Sequence, residues 1–249
     1  MFAEPFLWTA RQSRWYLETI PTRKTKTTFM LQIFTQFWWQ YLTIAVASYL
    51  FGSINYSVIF SRSIKKGDIR KFGSGNAGTT NMFRVYGLPL GVLTFSCDTL
   101  KGVLVCLATK LIFPNIYAID GGVCIYLAGL FAVVGHIFPV FFKFNGGKGF
   151  ATSIGIYAFT QSIFTLCVAV VIIASIFIWD KMSLSALMFE TIVLLWHWIF
   201  CYPQLNVYCC VLVTLIVVLV FVAHRQNIVR LVTGREPNTG VVSKFTKKK

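Results

Sequence analysis

Acidic residues are scarce in this 249-residue chain, where 8 Asp and Glu stand against 23 Lys and Arg and charged residues of both signs make up 12%. So small a charged share excludes an ordinary soluble domain, in which about a quarter of residues are charged. Long polar stretches are missing too, so there is no room for a second, soluble domain. The seven cysteines are odd in number and scattered, mostly inside apolar runs, and form no Cys-x-x-Cys pair. That pattern excludes a disulfide framework and a cysteine metal site. The basic first 28 residues lack the compact apolar core and small-residue cleavage site of a signal peptide. No internal repeat is evident.

Apolar residues are what the chain has, at 56%, with a mean hydropathy of +0.69. The expected fold is an all-α, polytopic integral membrane protein with about seven transmembrane helices, two of them short, and cytoplasmic glycine-rich loops. The net charge of +15 falls between the hydrophobic runs and at the termini. It therefore reads as the positive-inside pattern meeting anionic membrane lipids, and no nucleic-acid partner is expected.

Three segments follow from the hydrophobic pattern. Residues 1–39 form a basic tail and an interfacial segment, in which Gln32 and Gln36 recur at helical spacing beside Phe34, Phe37, Trp38 and Trp39. Residues 40–236 form the membrane domain and residues 237–249 a second basic tail. Spans are expected at about 40–60, 88–113, 124–142, 183–200 and 207–223. The stretch 151–179 poses a parity question, because one crossing there would export the Lys247–Lys249 tail. Two short helices broken near Thr160-Gln161-Ser162 restore the positive-inside pattern and put the C-terminus in the cytoplasm. The N-terminal cations would then lie outside, against the bias, and a translation start at Met30 would remove that discrepancy.

The richest stretch is Gly73-Ser74-Gly75-Asn76-Ala77-Gly78-Thr79-Thr80-Asn81, followed by Arg84. Glycines let successive N–H groups turn toward one point, hydroxyls add donors, and a guanidinium can grip two phosphate oxygens at once. Arg62, Lys65, Lys66, Arg70 and Lys71 precede it, which places it in the cytoplasm. Two further polar islands belong to the same membrane face. One runs from His136 to Gly146-Gly147-Lys148-Gly149, and the other combines Ser183–Ser185 with His224–Arg230. Ionisable groups at helix ends of an apolar protein are expensive unless they serve a purpose, so the three islands are expected to enclose one anionic pocket.

Taken in order, these motifs resemble those of the PlsY-type acyl-phosphate:glycerol-3-phosphate acyltransferase family. The match runs from about Tyr49 to Glu236. It includes Gly52-Ser53-Ile54, the Gly73–Arg84 loop, Asp98 with Lys101-Gly102, Gly135-His136 with Phe138-Pro139, Gly146–Gly149 with Ala151-Thr152, and His224-Arg225 with Asn227-Ile228. The resemblance implies a membrane enzyme of phospholipid synthesis that transfers an acyl group from acyl phosphate to the 1-hydroxyl of glycerol 3-phosphate, giving lysophosphatidic acid and phosphate. It also implies a functional link to an upstream phosphate acyltransferase that makes the donor. By residue, it assigns Ser74, Lys148, His224 and Asn227 to catalysis, and these four with Arg84 to glycerol 3-phosphate. Thr80, with Gly78, Asn81 and Ser185, is assigned to the phosphate of the acyl donor. No metal and no cofactor is called for. No His-x-x-x-x-Asp spacing follows any of the three histidines, so acyl carrier protein and coenzyme A thioesters are not expected as direct donors.

The chain departs from the family pattern in three places. Asn55-Tyr56-Ser57 follows the first glycine motif where Pro-x-Gly is usual, and Gln226 stands where Glu is common. The second serine of Ser183-Leu184-Ser185-Ala186 is displaced by one residue, about 100° around a helix. Other polar residues have quieter expectations. Asp98 and Lys101 are expected to pair across one turn, His136 either to bond between helices or to act in catalysis, and His197 to sit in an interfacial aromatic belt. Glu190 is given no function. A transporter or channel for an organic phosphate is the alternative class, but it would want repeats and polar residues along a path.

Overall fold

In lipid, backbone groups must be satisfied within the segment, so the long apolar runs fold as helices. The computed structural model describes residues 23–201 and 207–239, with side chains from Thr28 onward. Among the described residues every regular element is helical. The N-terminal tail to residue 22, the turn at Tyr202-Pro203 and the Lys247–Lys249 tail lie outside them.

The chain divides into two units, Met1–Trp39 and Gln40–Lys249. The first contains α1 (Arg23–Gln36), with Phe29 and Leu31 exposed on its surface. The second begins within α2 (Trp38–Gly52) and continues through α3 (Tyr56–Lys65), a 3-10 turn Ile69–Lys71, α4 (Thr79–Tyr86), α5 (Leu88–Ile112), α6 (Pro114–Asp120) and α7 (Val123–Ile137). A second 3-10 turn, Val140–Phe142, leads to α8 (Phe150–Thr160), α9 (Ser162–Trp179) and α10 (Met182–Trp196). A π-turn His197–Cys201, then α11 (Val207–Ala223) and α12 (Arg225–Val232), complete it.

Among the described residues, five candidate spans are long and apolar enough to cross a membrane: Trp38–Lys65, Leu88–Ile112, Val123–Phe142, Ser162–Trp179 and Met182–Cys201. Val207–Ala223 with Arg225–Val232, bent by 62°, makes a sixth if the pair counts as one span. The expected break in the 151–179 stretch is present, at Gln161 between α8 and α9. The two halves are unequal. α8 has only 11 residues, whereas α9 has 18 and is long enough to cross alone.

Small residues bring the helices close, as they do where lipid offers no hydrophobic drive between spans. A Cβ on Gly155 would lie 2.0 Å from the Thr99 carbonyl oxygen, and one on Gly102 2.3 Å from that of Thr152, so α5 and α8 meet backbone to backbone. Gly52 against Ala132 and Gly135 against Tyr49 do the same for α2 and α7, each with a carbonyl oxygen 2.3 Å from the added carbon.

The first span is broken at residues 53–55, a feature not expected from its hydropathy. A broken helix inside a membrane protein leaves carbonyls that need donors. Lys101 of α5 provides them, its Nζ donating to the carbonyls of Gly52 (3.1 Å) and Ile54 (2.9 Å). The expected ion pair with Asp98 is there at 3.0 Å, and the His136 Nδ1 lies 2.8 Å from the same ammonium. His136 is thus an interhelical bonding residue. Asn55 then restarts the chain as the N-cap of α3, accepting from the Val58 N–H at 3.1 Å and from Ser57 Oγ at 2.6 Å. The Asn-Tyr-Ser departure is therefore a working helix start.

His197 is not in an interfacial belt. The π-turn carries it inward, where it is fully buried, its Nδ1 2.9 Å from the Val193 carbonyl and its Nε2 3.2 Å from the Tyr126 hydroxyl.

Candidate functional site

The glycine-rich loop is shaped from within by Asn81. Its side chain is buried and its Nδ2 donates to the carbonyls of Phe72 (2.9 Å), Asn76 (3.1 Å) and Ile69 (3.3 Å), while its Oδ1 accepts from the Ser74 N–H (3.0 Å). Gly73 has φ +58, and a Cβ there would lie 2.3 Å from Asn81 Oδ1. Only glycine allows both that conformation and that approach. Asn81 therefore spends both ends of its amide on the loop and has no group left for a ligand. What the loop presents is the exposed Ser74 and the start of α4, whose N-cap is Gly78 with no side-chain cap. The first-turn N–H groups of Thr79 and Thr80 thereby receive no side-chain cap.

The second loop is welded to the first. Gly147 donates its N–H to the His136 carbonyl (3.0 Å), and a Cβ on it would meet His136 Nε2 at 2.1 Å and the Ala77 carbonyl oxygen at 2.8 Å. Asn55 Nδ2 also donates to that Ala77 carbonyl, at 3.2 Å. The neighbour of Gly147, Lys148, is held at this junction and its Nζ donates to Asn227 Oδ1.

The third island arrives through the bend between α11 and α12. His224 is buried there with its Nδ1 2.8 Å from the Val220 carbonyl, a contact that fixes the proton on Nδ1 and leaves Nε2 as an acceptor in the neutral ring. Asn227, one turn on, is buried and donates from Nδ2 to Glu236 Oε1 at 2.7 Å. Arg84, half-buried, reaches the Asn238 carbonyl at 3.5 Å.

Glu236 is the organiser that sequence reasoning missed. Its Oε1 accepts from Ser183 Oγ (2.7 Å) as well as Asn227, its Oε2 from Arg230 Nε (2.8 Å), and its backbone carbonyl from Lys181 Nζ. Burial alone would raise this carboxyl, but the bonds from Ser183, Arg230 and Asn227 outweigh it and hold the group below its usual range. A lone acid in a strongly basic chain, just past a helix-ending glycine, was the available signal. Beyond it, Lys181 Nζ donates to Asn238 Oδ1 (2.7 Å) and Thr239 N–H to the Asp180 carbonyl (2.8 Å), so residues 236–239 strap α12 to the start of α10.

Ser185 does not join the group. Its hydroxyl donates to the Lys181 carbonyl (3.2 Å) and meets Ser175 Oγ of α9 at 2.6 Å, fully buried between the two helices. The one-residue displacement has the consequence that helix geometry dictates, turning this serine toward α9 while Ser183 faces the Glu236 cluster. Its assignment to the donor phosphate is corrected accordingly.

Lys148 lies among charges. Burial pulls its ammonium from the ordinary lysine range down to about 8, the Glu236 carboxylate pushes back, and Arg230 and Arg84 add to the depression. Such a cluster of cations, with only one carboxylate to balance it, is arranged to receive an anion.

Known proteins are similar to this chain over most of its length. The glycerol-3-phosphate acyltransferase family profile matches residues 42–234. The chain belongs to the glycerol-3-phosphate acyltransferase family. Among its relatives, the glycerol-3-phosphate acyltransferase of Halalkalibacterium halodurans is 38% identical over 203 residues, covering 79% of this chain and 94% of the relative. That of Bartonella quintana is 37% identical, covering 80% and 91%. The crystal structure of PlsY, an integral membrane glycerol 3-phosphate acyltransferase, in its glycerol 3-phosphate form superposes with a TM-score of 0.74 at 31% identity, covering 83% of this chain and 98% of PlsY. The lysophosphatidic acid form gives 0.70, also at 31% identity. Like that neighbour, this family member is a multi-pass membrane protein.

Proposed function

We propose that this protein transfers an acyl group from acyl phosphate to the 1-hydroxyl of glycerol 3-phosphate at the cytoplasmic face of the membrane. The observation that carries the reading is the meeting of Lys148, Asn227 and His224 beside Arg84, a cation cluster at the junction of three loops. Glycerol 3-phosphate is held there, its phosphate on Lys148 and Arg84 and its hydroxyls toward His224, Asn227 and Ser74. The donor phosphate sits at the start of α4, on the N–H groups of Thr79 and Thr80 behind Gly78 and on the Thr80 hydroxyl. Asn81 contributes by holding the loop in shape.

In the reaction the 1-hydroxyl oxygen attacks the acyl carbon, the new ester bond forms, and the bond from the acyl carbon to the phosphate oxygen breaks. Phosphate leaves with the electron pair. The hydroxyl proton passes to a substrate phosphate oxygen, so no protein base is required. A mixed anhydride is already activated, which leaves positioning and charge stabilisation as the protein's work.

The purified protein in detergent, given palmitoyl phosphate and glycerol 3-phosphate, is expected to release lysophosphatidate and inorganic phosphate. Palmitoyl-coenzyme A in place of palmitoyl phosphate is expected to give none. Product from the thioester alone would overturn the donor assignment. Undiminished product after Lys148→Ala and Arg84→Ala would overturn the site.

A further inference from the structure

A second concentration of positive charge lies apart from the Lys148 cluster. Arg62 and Lys66 at the end of α3, Arg70 and Lys71 in the first 3-10 turn, and Lys143 after the second line an open cavity of about 480 Å3 together with Gly67 and Asp68. Asp68 engages two of the five cations, Arg62 and Arg70, each at 2.8 Å. Hydrogen bonds from Arg70, and after them those from Arg62, hold its carboxyl well below the usual range against the effect of burial, so it stays ionised. Lys66, Lys71 and Lys143 make no ion pair among the described residues.

The backbone around this cavity is strained. Lys66 (φ 55), Lys143 (φ 57) and Phe144 (φ 55) are three of the four non-glycine residues with positive φ among the described residues. L side chains avoid that region, and where they occupy it the surroundings must over-determine the geometry. Here Gly67 N–H donates to the Ser61 carbonyl (3.2 Å), Phe144 N–H to that of Pro139 (2.9 Å), and Arg70 Nη1 to that of Phe142 (2.8 Å). Strain so supported keeps Lys66 and Lys143 on the cavity wall.

The cavity also lies at the ends of candidate spans. Two candidate spans, Trp38–Lys65 and Val123–Phe142, end at its rim. Ile64, Phe72, Phe141 and Phe144 are exposed in the adjoining sequence, at 51%, 46%, 60% and 60%. A basic pocket at the ends of spans, bordered by apolar and aromatic side chains, matches the phosphate of a lipid headgroup with its glycerol and first methylenes alongside. A soluble phosphate ester would use the same lysines but would leave the apolar border in water.

We propose that this cavity is a binding site for the phosphate of an anionic phospholipid, with Lys66, Lys71 and Lys143 as its ligands. The site is separate from the one assigned to the reaction, and its test reads lipid binding rather than turnover. It shares a support with the glycine-rich loop, because Asn81 donates to the carbonyl of Ile69 in the cavity's own 3-10 turn.

The full chain is purified in micelles holding equal amounts of phosphatidylglycerol and phosphatidylcholine, and the lipid retained per protein is counted by mass spectrometry. The unaltered protein is expected to retain phosphatidylglycerol over phosphatidylcholine by about tenfold, and Lys66→Gln/Lys71→Gln/Lys143→Gln to show no preference. A control with the same charge change elsewhere, Lys110→Gln/Arg225→Gln/Arg235→Gln, is expected to behave as the unaltered protein. Millimolar inorganic phosphate at constant ionic strength is expected to leave the lipid in place. If the triple variant melts early, the single changes Lys71→Gln and Lys143→Gln carry the test, each lowering retention about twofold. Equal retention by the lysine variants, equal loss in the control, or release of the lipid by inorganic phosphate overturns the proposal.

Discussion

A lysine ammonium held at about 8 changes charge inside the pH range where the activity can be assayed, and Lys148 is such a group. Its charged form is disfavoured chiefly by burial, then by Arg230 and Arg84, and favoured by Glu236. The protonated fraction falls from about nine-tenths at pH 7 to about one-tenth at pH 9, roughly a tenfold loss of the binding-competent form. Phosphate monoesters have a second pKa of about 6, so the ligand is already mostly dianionic at pH 7 and its charge changes little across this window. The KM for glycerol 3-phosphate is therefore expected to rise about tenfold from pH 7 to pH 9, with kcat changing little. A bound dianion favours the ammonium, so binding near pH 9 takes up close to one proton. Calorimetry with glycerol 3-phosphate, without acyl donor, in buffers of different ionisation enthalpy measures that uptake. Lys148→Arg should flatten the dependence, because a guanidinium stays charged, while binding more weakly for want of the Asn227 geometry. Glu236→Gln removes the one charge that supports the ammonium and should move the midpoint below 8. A flat KM between pH 7 and pH 9 in the unaltered protein, with no proton uptake, would refute the placing of Lys148 against the substrate phosphate.

Other substitutions test the supports. Gly147→Ala brings a Cβ to 2.1 Å from His136 Nε2, so the two loops must part; a loss of about 1–3 kcal/mol, read as a lower Tm, is expected together with a large loss of activity. Ser183→Ala removes a charge-assisted bond to Glu236 and should weaken activity along with about 1.5–3 kcal/mol of stability. Ser185→Ala removes the contact with Ser175 and the bond to the Lys181 carbonyl, neither of which touches the Glu236 cluster, so about 0.5–1.5 kcal/mol should be lost with kcat/KM unchanged. Equal activity losses in the two serine variants would contradict the helix rotation assigned to them. Asn81→Ala removes the amide's bonds to the Phe72 and Asn76 carbonyls and takes away the acceptor of the Ser74 N–H, and thermal unfolding should show about 1–3 kcal/mol lost.

Much of this molecule is visible in local composition. Apolar runs of span length announce membrane helices whatever their partners, because the requirement is set by lipid. The glycine-rich loops and the His224–Asn227 turn are visible for a similar reason, since each is marked by a few residue types close together in the chain. The break at Gln161 followed from charge parity and the length of the stretch, with the family resemblance in support. The break at residues 53–55 did not, because it is stabilised by Lys101, forty-seven residues away from the Ile54 carbonyl it satisfies. His197 and Glu236 escaped for the same reason, their partners Tyr126 and Ser183 lying 71 and 53 positions away.

Sequence by itself thus determined the class of fold and the family, and it marked the residues whose chemistry suits a phosphate, since each depends on residue type and short spacing. Tertiary structure alone decided which of those residues point at one another. It committed Asn81 to the loop, turned Ser185 toward Ser175, put Glu236 between Ser183, Asn227 and Arg230, and left Lys148 among cations. The physical reason is rotation and burial: a side chain's direction on its helix and its removal from water exist only once the helices have packed.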